Sequence, residues 1–186
     1  MPGVRSRLCA ARKRRRTKVS SVPSSRVGVV EQVGTGVSEF HAGDKVIISC
    51  VTACLKCDLC KRGMYSHCRR GGWILGCTID GTQAEYVRIP QADGSLHKFP
   101  AGGDEEAMVM LSDILPTGFE CGVLNGEVKP GDAVAIVGAG PVGLAVLLTA
   151  QFYSPAAIFM IDVAGIRLKA ALHARHLAIG EPAPAG

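Results

Sequence analysis

Ala133-Val134-Ala135-Ile136-Val137-Gly138-Ala139-Gly140-Pro141-Val142-Gly143-Leu144-Ala145-Val146-Leu147-Leu148-Thr149-Ala150 is the stretch on which the fold turns. No formal charge stands between Asp132 and Asp162, so apolarity and length alone would suit a membrane span. The punctuation says otherwise. Gly138, Gly140, Pro141 and Gly143 would break a spanning helix, but they suit a buried strand (Ala133–Val137), a tight turn and a helix start. The turn reads Gly-x-Gly-x-x-Gly. Its glycines permit a sharp reversal, close approach of a pyrophosphate and tight helix packing, while the helix N-terminus offers N–H donors and a favourable dipole. A helix to about Phe152, a strand Ala157–Ile161 and a helix from about Gly165 to Ala178 complete a β-α-β-α unit. Asp162 closes the second strand 24 residues after Gly138, where an acid would take the ribose hydroxyls of NAD rather than the phosphate of NADP. The same position also suits a helix cap.

Working back from this unit, Lys129-Pro130-Gly131-Asp132 is a turn, and helical runs are expected over Ala107–Leu115 and from Thr117 to about Asn125. Residues 27–106 have a different texture. Short β-type runs, Val27–Val33, Lys45–Ser49 and Ala84–Ile89, are separated by Gly34, Gly36, Gly43-Asp44, Asp80-Gly81 and Asp93-Gly94. This pattern predicts an all-β domain, a barrel or a sandwich. Beyond the last helix, Pro182 and Pro184 leave no room for a further element in the tail, so the alternation is expected to stop after two strands.

The 186 residues, 47% of them hydrophobic and 20% charged, rule out global disorder. The net charge of +5 comes from one place. Residues 1–26 hold nine Lys/Arg and no acid, leaving 12 basic against 16 acidic residues in a mildly acidic body. Arg12 to Lys18 repel one another and offer no apolar face, so 1–26 is expected to be a disordered basic arm, with a composition shared by transit peptides and nuclear signals. The body alone does not suggest a nucleic-acid or membrane-surface protein.

Cys54-x2-Cys57-x2-Cys60-x7-Cys68 presents four sulfurs within fifteen residues, and no apolar leader precedes them. A tetrahedral zinc with four thiolates fits this spacing. An iron–sulfur cluster shares the first three cysteines, but its run would continue with x3-Cys-Pro, whereas Cys68 comes seven residues on and is followed by Arg69. Lys56, Lys61, Arg62, Arg69 and Arg70 raise the alternative of a DNA-binding zinc finger, yet no recognition helix with its own ligands follows. His67 could replace one ligand, and a solvated loop histidine is the plainer reading. Cys9, Cys50, Cys77 and Cys121 stand alone and are expected to be small buried hydrophobes.

A β domain with a four-cysteine lobe, followed by a dinucleotide turn, resembles the zinc-dependent medium-chain alcohol dehydrogenase family. The resemblance runs from about Val27 to Ala178. It rests on Gly28-Val29-Val30-Glu31-Gln32-Val33-Gly34, Ala42-Gly43-Asp44-Lys45-Val46, the cysteine lobe, Gly81-Thr82-Gln83-Ala84-Glu85-Tyr86, Leu111-Ser112-Asp113-Ile114-Leu115-Pro116-Thr117-Gly118 and the glycine turn, in family order. It implies β plus α/β architecture: a GroES-like β-barrel domain over 27–115 with a structural-zinc lobe at 50–70, then a truncated NAD-binding Rossmann unit over 116–186. It also implies NAD contacts at Gly138, Gly140, Pro141, Val142, Gly143 and Asp162, and a structural zinc on Cys54, Cys57, Cys60 and Cys68. The implied activity is oxidation of an alcohol to an aldehyde or ketone, in a cytoplasmic protein compatible with a homo-oligomer.

The chain also departs from the family. Where Gly-His-Glu should supply a catalytic-zinc histidine, it reads Pro23-Ser24-Ser25-Arg26, and the surroundings of Cys9 do not match the family's Cys-Gly-x-Asp. Only Asp113 keeps a ligand position, within a Ser-Asp-Ile-Leu-Pro-Thr-Gly segment like that of the formaldehyde-dehydrogenase-like branch. Three protein ligands are usual for a catalytic zinc, so impaired catalysis and weak or partial NAD binding are expected. The alternative is a non-catalytic zinc-binding module or remnant, using its basic arm on nucleic acid.

Overall fold

The computed structural model describes residues 6–9 and 26–179. They fall into two compact units that divide between Ser112 and Asp113. In the first, β1 (Ser6–Cys9), β2 (Arg26–Gln32), β3 (Lys45–Ile48), β4 (Tyr86–Val87) and β5 (Leu96–Lys98) form one sheet in the order β4-β1-β2-β3-β5. β2 and β3 pair antiparallel, with Val27 opposite Ile47 and Val29 opposite Lys45, and β3 pairs antiparallel with β5. Val30, Val46, Ile48, Val87 and Leu96 meet in the core with Phe40, Leu75 and Ile89.

The expected β domain forms in this unit, and one expectation is corrected. The sheet has two ends, so no closed barrel is found among the described residues. Ser6–Cys9, inside the stretch expected to be disordered, is a strand that runs parallel to both β2 and β4. Four residues carry too little alternation to reveal a strand, and their pairing satisfies the backbone groups of β2 on its far side. The remainder of the expected arm lies outside the described residues. The expected run Ala84–Ile89 contracts to two paired residues, Tyr86 and Val87.

From Asp58 onward the first unit adds α1 (Asp58–Lys61) in the cysteine lobe and α2 (Glu105–Val109), which is capped by the Asp104 carboxylate on the Glu106 N–H. The second unit opens with α3 (Ile114–Thr117) and continues as a π-helix over Gly118–Leu124. β6 (Ala133–Val137) and β7 (Ala157–Ile161) are parallel and in register from Ala133–Ala157 to Val137–Ile161. Between them runs α4 (Pro141–Ala150), and α5 (Gly165–Ile179) follows β7. Gly118 and Gly122 let the π-helix lie directly on α4, because a Cβ on Gly118 would stand 2.5 Å from that of Ala145 and one on Gly122 would overlap Val146. The core gathers Val123, Ile136, Val146, Leu147, Ala150 and Ala171. Ala135, Val137, Phe159 and Ile161 on the other face of the strand pair are exposed. No single helix among the described residues is long and apolar enough to cross a membrane.

Candidate metal and cofactor sites

The lobe is closed at its base by a reciprocal backbone pair: the Thr52 N–H donates to Gly72 O at 3.0 Å and the Gly72 N–H to Thr52 O at 2.6 Å. Two glycines make this possible. A Cβ on Gly71 would overlap the Thr52 carbonyl oxygen, and Gly72 takes φ +81° with Ser66 O 2.5 Å from where its Cβ would be. Leu55, at φ +56°, reverses the chain between Cys54 and Cys57. Cys57 then caps the single turn of α1, its Sγ accepting the Cys60 N–H at 3.5 Å. Across the loop, Arg69 clamps Asp58 through both carboxylate oxygens, at 2.7 and 2.9 Å, and holds that acid down at about 2.

This folding brings Cys54, Cys57, Cys60 and Cys68 together, with all four Sγ atoms within 4.8 Å of one another. A zinc with four sulfurs at 2.3 Å needs tetrahedral edges of about 3.8 Å, so the cluster fits the ion with small side-chain adjustment. Without metal the sulfurs differ. The N–H groups of Arg69 and then Cys60 lower Cys57 to about 6, those of Lys56 and Cys57 lower Cys54, and burial pushes Cys60 up to about 12. A zinc ion would hold all four as thiolates. His67 is exposed and outside the cluster, its Nδ1 3.0 Å from Ser66 Oγ. Of the lone cysteines, Cys50 is buried as expected, but Cys77 and Cys121 are exposed, one in a turn and one on the outer side of the π-helix. The side chain of Cys9 lies outside the description.

In the second unit, Gly138 takes φ +98°, open to glycine and costly to any other residue, and turns the chain out of β6. Gly140 caps α4 with Pro141 at its first position, and a Cβ on Gly140 would meet nothing within 4 Å. The N–H groups of Pro141's successors, Val142 and Gly143, belong to the first turn, where α-helices have free donors. A Cβ on Gly143 would overlap the Gly138 carbonyl oxygen, so this glycine is needed for the turn itself.

Asp162 stands at the end of β7, as expected, but its carboxylate is already engaged. Oδ1 accepts the Ala164 N–H at 2.7 Å and Oδ2 the Ala139 N–H at 2.8 Å, with Arg167 at 3.4 Å. These N–H donors, Ala164 first, depress its pKa. It therefore pins the glycine turn to β7, a role that the spacing alone did not reveal. Asp113 is buried at the start of α3, and its Oδ1 accepts the Thr117 hydroxyl at 2.9 Å. The Asp-x-x-x-Thr spacing on one helical face was the signal for this pair. His41 lies on an exposed loop, its N–H bonded to Asp44 Oδ2.

A sheet domain with a four-sulfur lobe and a separate parallel βαβ unit with a glycine turn define a two-domain dehydrogenase architecture. The solved structures agree. Zinc dependent alcohol dehydrogenase 2 from Streptococcus pneumonia matches with a TM-score of 0.75 and 56% identity, covering 81% of this chain and 42% of that one. An alcohol dehydrogenase from Thermus sp. ATN1 matches at 0.73 and 36%, covering 81% and 44%. Residues 14–101 match the alcohol dehydrogenase GroES-like domain, a match that begins within the stretch set aside as a basic arm. Zinc-type alcohol dehydrogenase B from Aspergillus flavus is 39% identical over 150 residues, 77% of this chain and 35% of that protein. Glutathione-independent formaldehyde dehydrogenase from Pseudomonas aeruginosa is 38% identical over 162 residues, 76% and 38%. The chain belongs to the zinc-type medium-chain alcohol dehydrogenase family. It spans less than half the length of these relatives.

Proposed function

We propose that this chain is an alcohol dehydrogenase-like oxidoreductase homologue that holds one structural zinc on Cys54, Cys57, Cys60 and Cys68 and the ADP side of NAD on its glycine turn, with impaired turnover. The carrying observation is the occurrence, in one chain, of a preformed four-sulfur cluster and an open Gly138–Gly143 turn. The turn binds the pyrophosphate through the first-turn N–H groups beyond Gly140 and Pro141, with Gly140 leaving room for its approach. Asp162 meets the ribose with whatever acceptor capacity its two backbone bonds leave. NAD supplies a hydride acceptor, and a small alcohol or aldehyde is the substrate class of the relatives.

Impairment follows from the ligand positions. A catalytic zinc takes three protein ligands, and the chain offers Asp113 where the family pattern places one, with Pro23-Ser24-Ser25-Arg26 in place of the histidine segment. Losing Lewis-acid polarisation removes several kcal/mol of transition-state stabilisation, each 1.36 kcal/mol being roughly tenfold in rate. The 186-residue polypeptide, given zinc, NAD and a panel of alcohols, should therefore show no NADH formation at 340 nm. Turnover that disappears in Asp113→Ala would overturn impairment and direct attention to His41 as a further ligand.

A further inference from the structure

The cysteine lobe is fastened by bonds that need no metal. The Thr52–Gly72 backbone pair closes its base, and Arg69 holds Asp58 across the loop through both carboxylate oxygens. Within this frame the four Sγ atoms lie within 4.8 Å of one another, a spacing that serves a second chemistry besides ligation. The sulfurs are not equivalent. Cys57 is half-buried, whereas Cys54, Cys60 and Cys68 are buried, so a small oxidant meets Cys57 first. Backbone contacts mark two pairs. Cys57 caps α1 and Cys60 is the third residue of that helix, with the Cys60 N–H on Cys57 Sγ at 3.5 Å. Positions three apart are neighbours on a helical turn. The other pair is marked by the Cys54 N–H, which lies on Cys68 Sγ at 3.3 Å.

A sulfenic acid formed beside a second thiol condenses with it to a disulfide. We propose that a hydroperoxide converts the lobe to two disulfides, Cys57–Cys60 first and Cys54–Cys68 second, and that oxidation and zinc binding exclude one another because both use the same four sulfurs. The inference rests on the structural-zinc reading of this lobe and adds its regulation. In the first step the Cys57 sulfur attacks a peroxide oxygen: an S–O bond forms, the O–O bond breaks and the second oxygen leaves as hydroxide, which gives the sulfenic acid. The Cys60 sulfur then attacks the Cys57 sulfur, the S–S bond forms, the S–O bond breaks and a second hydroxide leaves. Each peroxide takes two electrons from one sulfur pair, and the second repeats the sequence on Cys54 and Cys68. For the loaded lobe, four thiolates, two peroxides and four protons yield two disulfides, four waters and a free zinc ion. The metal leaves because its ligand is the thiolate, and a disulfide has none to offer.

Trypsin can read the pairing, because Lys56, Lys61, Arg62 and Arg69 separate the cysteines: Cys57 and Cys60 share the peptide 57–61, while Cys54 and Cys68 fall in two others. The full chain, zinc-loaded and carrying Cys77→Ser and Cys121→Ser to silence its exposed lone thiols, is treated with two equivalents of hydrogen peroxide. Remaining thiols are alkylated, released zinc is read with a chromogenic chelator and the tryptic peptides are mapped by mass spectrometry. The bound zinc should be lost, an internal bridge should appear in the peptide 57–61, and the peptides of Cys54 and Cys68 should be cross-linked. With one equivalent, the bridge in 57–61 should dominate. Dithiothreitol should restore the thiols and zinc uptake together. In Cys60→Ser, dimedone should capture the sulfenic acid on Cys57. Bridges joining Cys54 to Cys57 or Cys60 to Cys68, bridges between chains, or zinc retained with the four thiols intact would overturn the proposal. A purified chain without zinc would defeat the structural-zinc reading instead, and the same peptide map on that chain still decides the two bridges.

Discussion

At the residue scale, the four lobe cysteines show how the fold sets ligand chemistry. Cys57 at about 6 is readily a thiolate at neutral pH, whereas Cys60 at about 12 stays protonated until a cation takes its proton's place. Zinc uptake should therefore release protons and weaken as pH falls. Metal analysis of purified chain should give one zinc per molecule. Cys54→Ser should lose most of it, because structural zinc sites supply on the order of 10 kcal/mol of apparent binding energy and three sulfurs leave the shell open. Two zinc ions per chain, or iron with absorption near the visible edge, would refute the one-site assignment. Asp162 gives a second residue-scale prediction. Its folded pKa is depressed by the Ala164 and Ala139 N–H groups, so its stabilisation is full above the unfolded carboxylate value near 4 and is lost as pH falls through the folded value. Urea midpoints of wild type and Asp162→Asn should differ at pH 7 and converge towards pH 2. A difference that is constant with pH would remove the charge from the explanation.

At the element scale, the glycine turn separates folding from binding. Gly143 is required by the turn, since its missing Cβ leaves the place of the Gly138 carbonyl oxygen free, whereas Gly140 faces open space at φ −78° and has no steric need to be glycine. Gly143→Ala should destabilise the second unit by about 1–3 kcal/mol, the usual cost of overpacking. Gly140→Ala should leave the thermal midpoint nearly unchanged yet weaken ADP-ribose and NAD alike in calorimetric titration, because the added methyl stands where a pyrophosphate would approach. Unchanged ADP-ribose affinity in Gly140→Ala would move the nucleotide elsewhere. The strand, turn and helix of this element were legible in the sequence because each has its own local signal: an apolar β-branched run, glycines and an N1 proline. The 3-10 turn over Met110–Ser112 and the π-helix after Thr117 were not, because apolar spacing reads as one helical run whichever backbone bonding closes it.

At the scale of the whole molecule, the two units have separate cores, one around Val46 and Ile48 and the other around Val123 and Leu147. Ligands that act on one unit should thus shift one transition. Scanning calorimetry should resolve two, with a zinc chelator lowering that of residues 1–112 and ADP-ribose raising that of residues 113–186, by about 2.7 kcal/mol at a hundredfold excess over its Kd. A single transition moved by both would show the units to be thermodynamically one.

The sequence by itself determined the features written in short-range chemistry. Four cysteines at fixed spacing, a strand ending in Gly-x-Gly-x-x-Gly and an acid at the end of the next strand each need only their near neighbours to be recognised. Tertiary structure decided what depends on distant backbone. It pairs Ser6–Cys9 between β2 and β4, partners distant in the chain that local alternation over four residues does not reveal. Among the described residues it leaves the sheet open, and it binds Asp162 to the Ala139 N–H 23 residues away. It also sets Arg69 on Asp58, because a salt bridge across a loop depends on where the loop closes, and Thr52 and Gly72 close it.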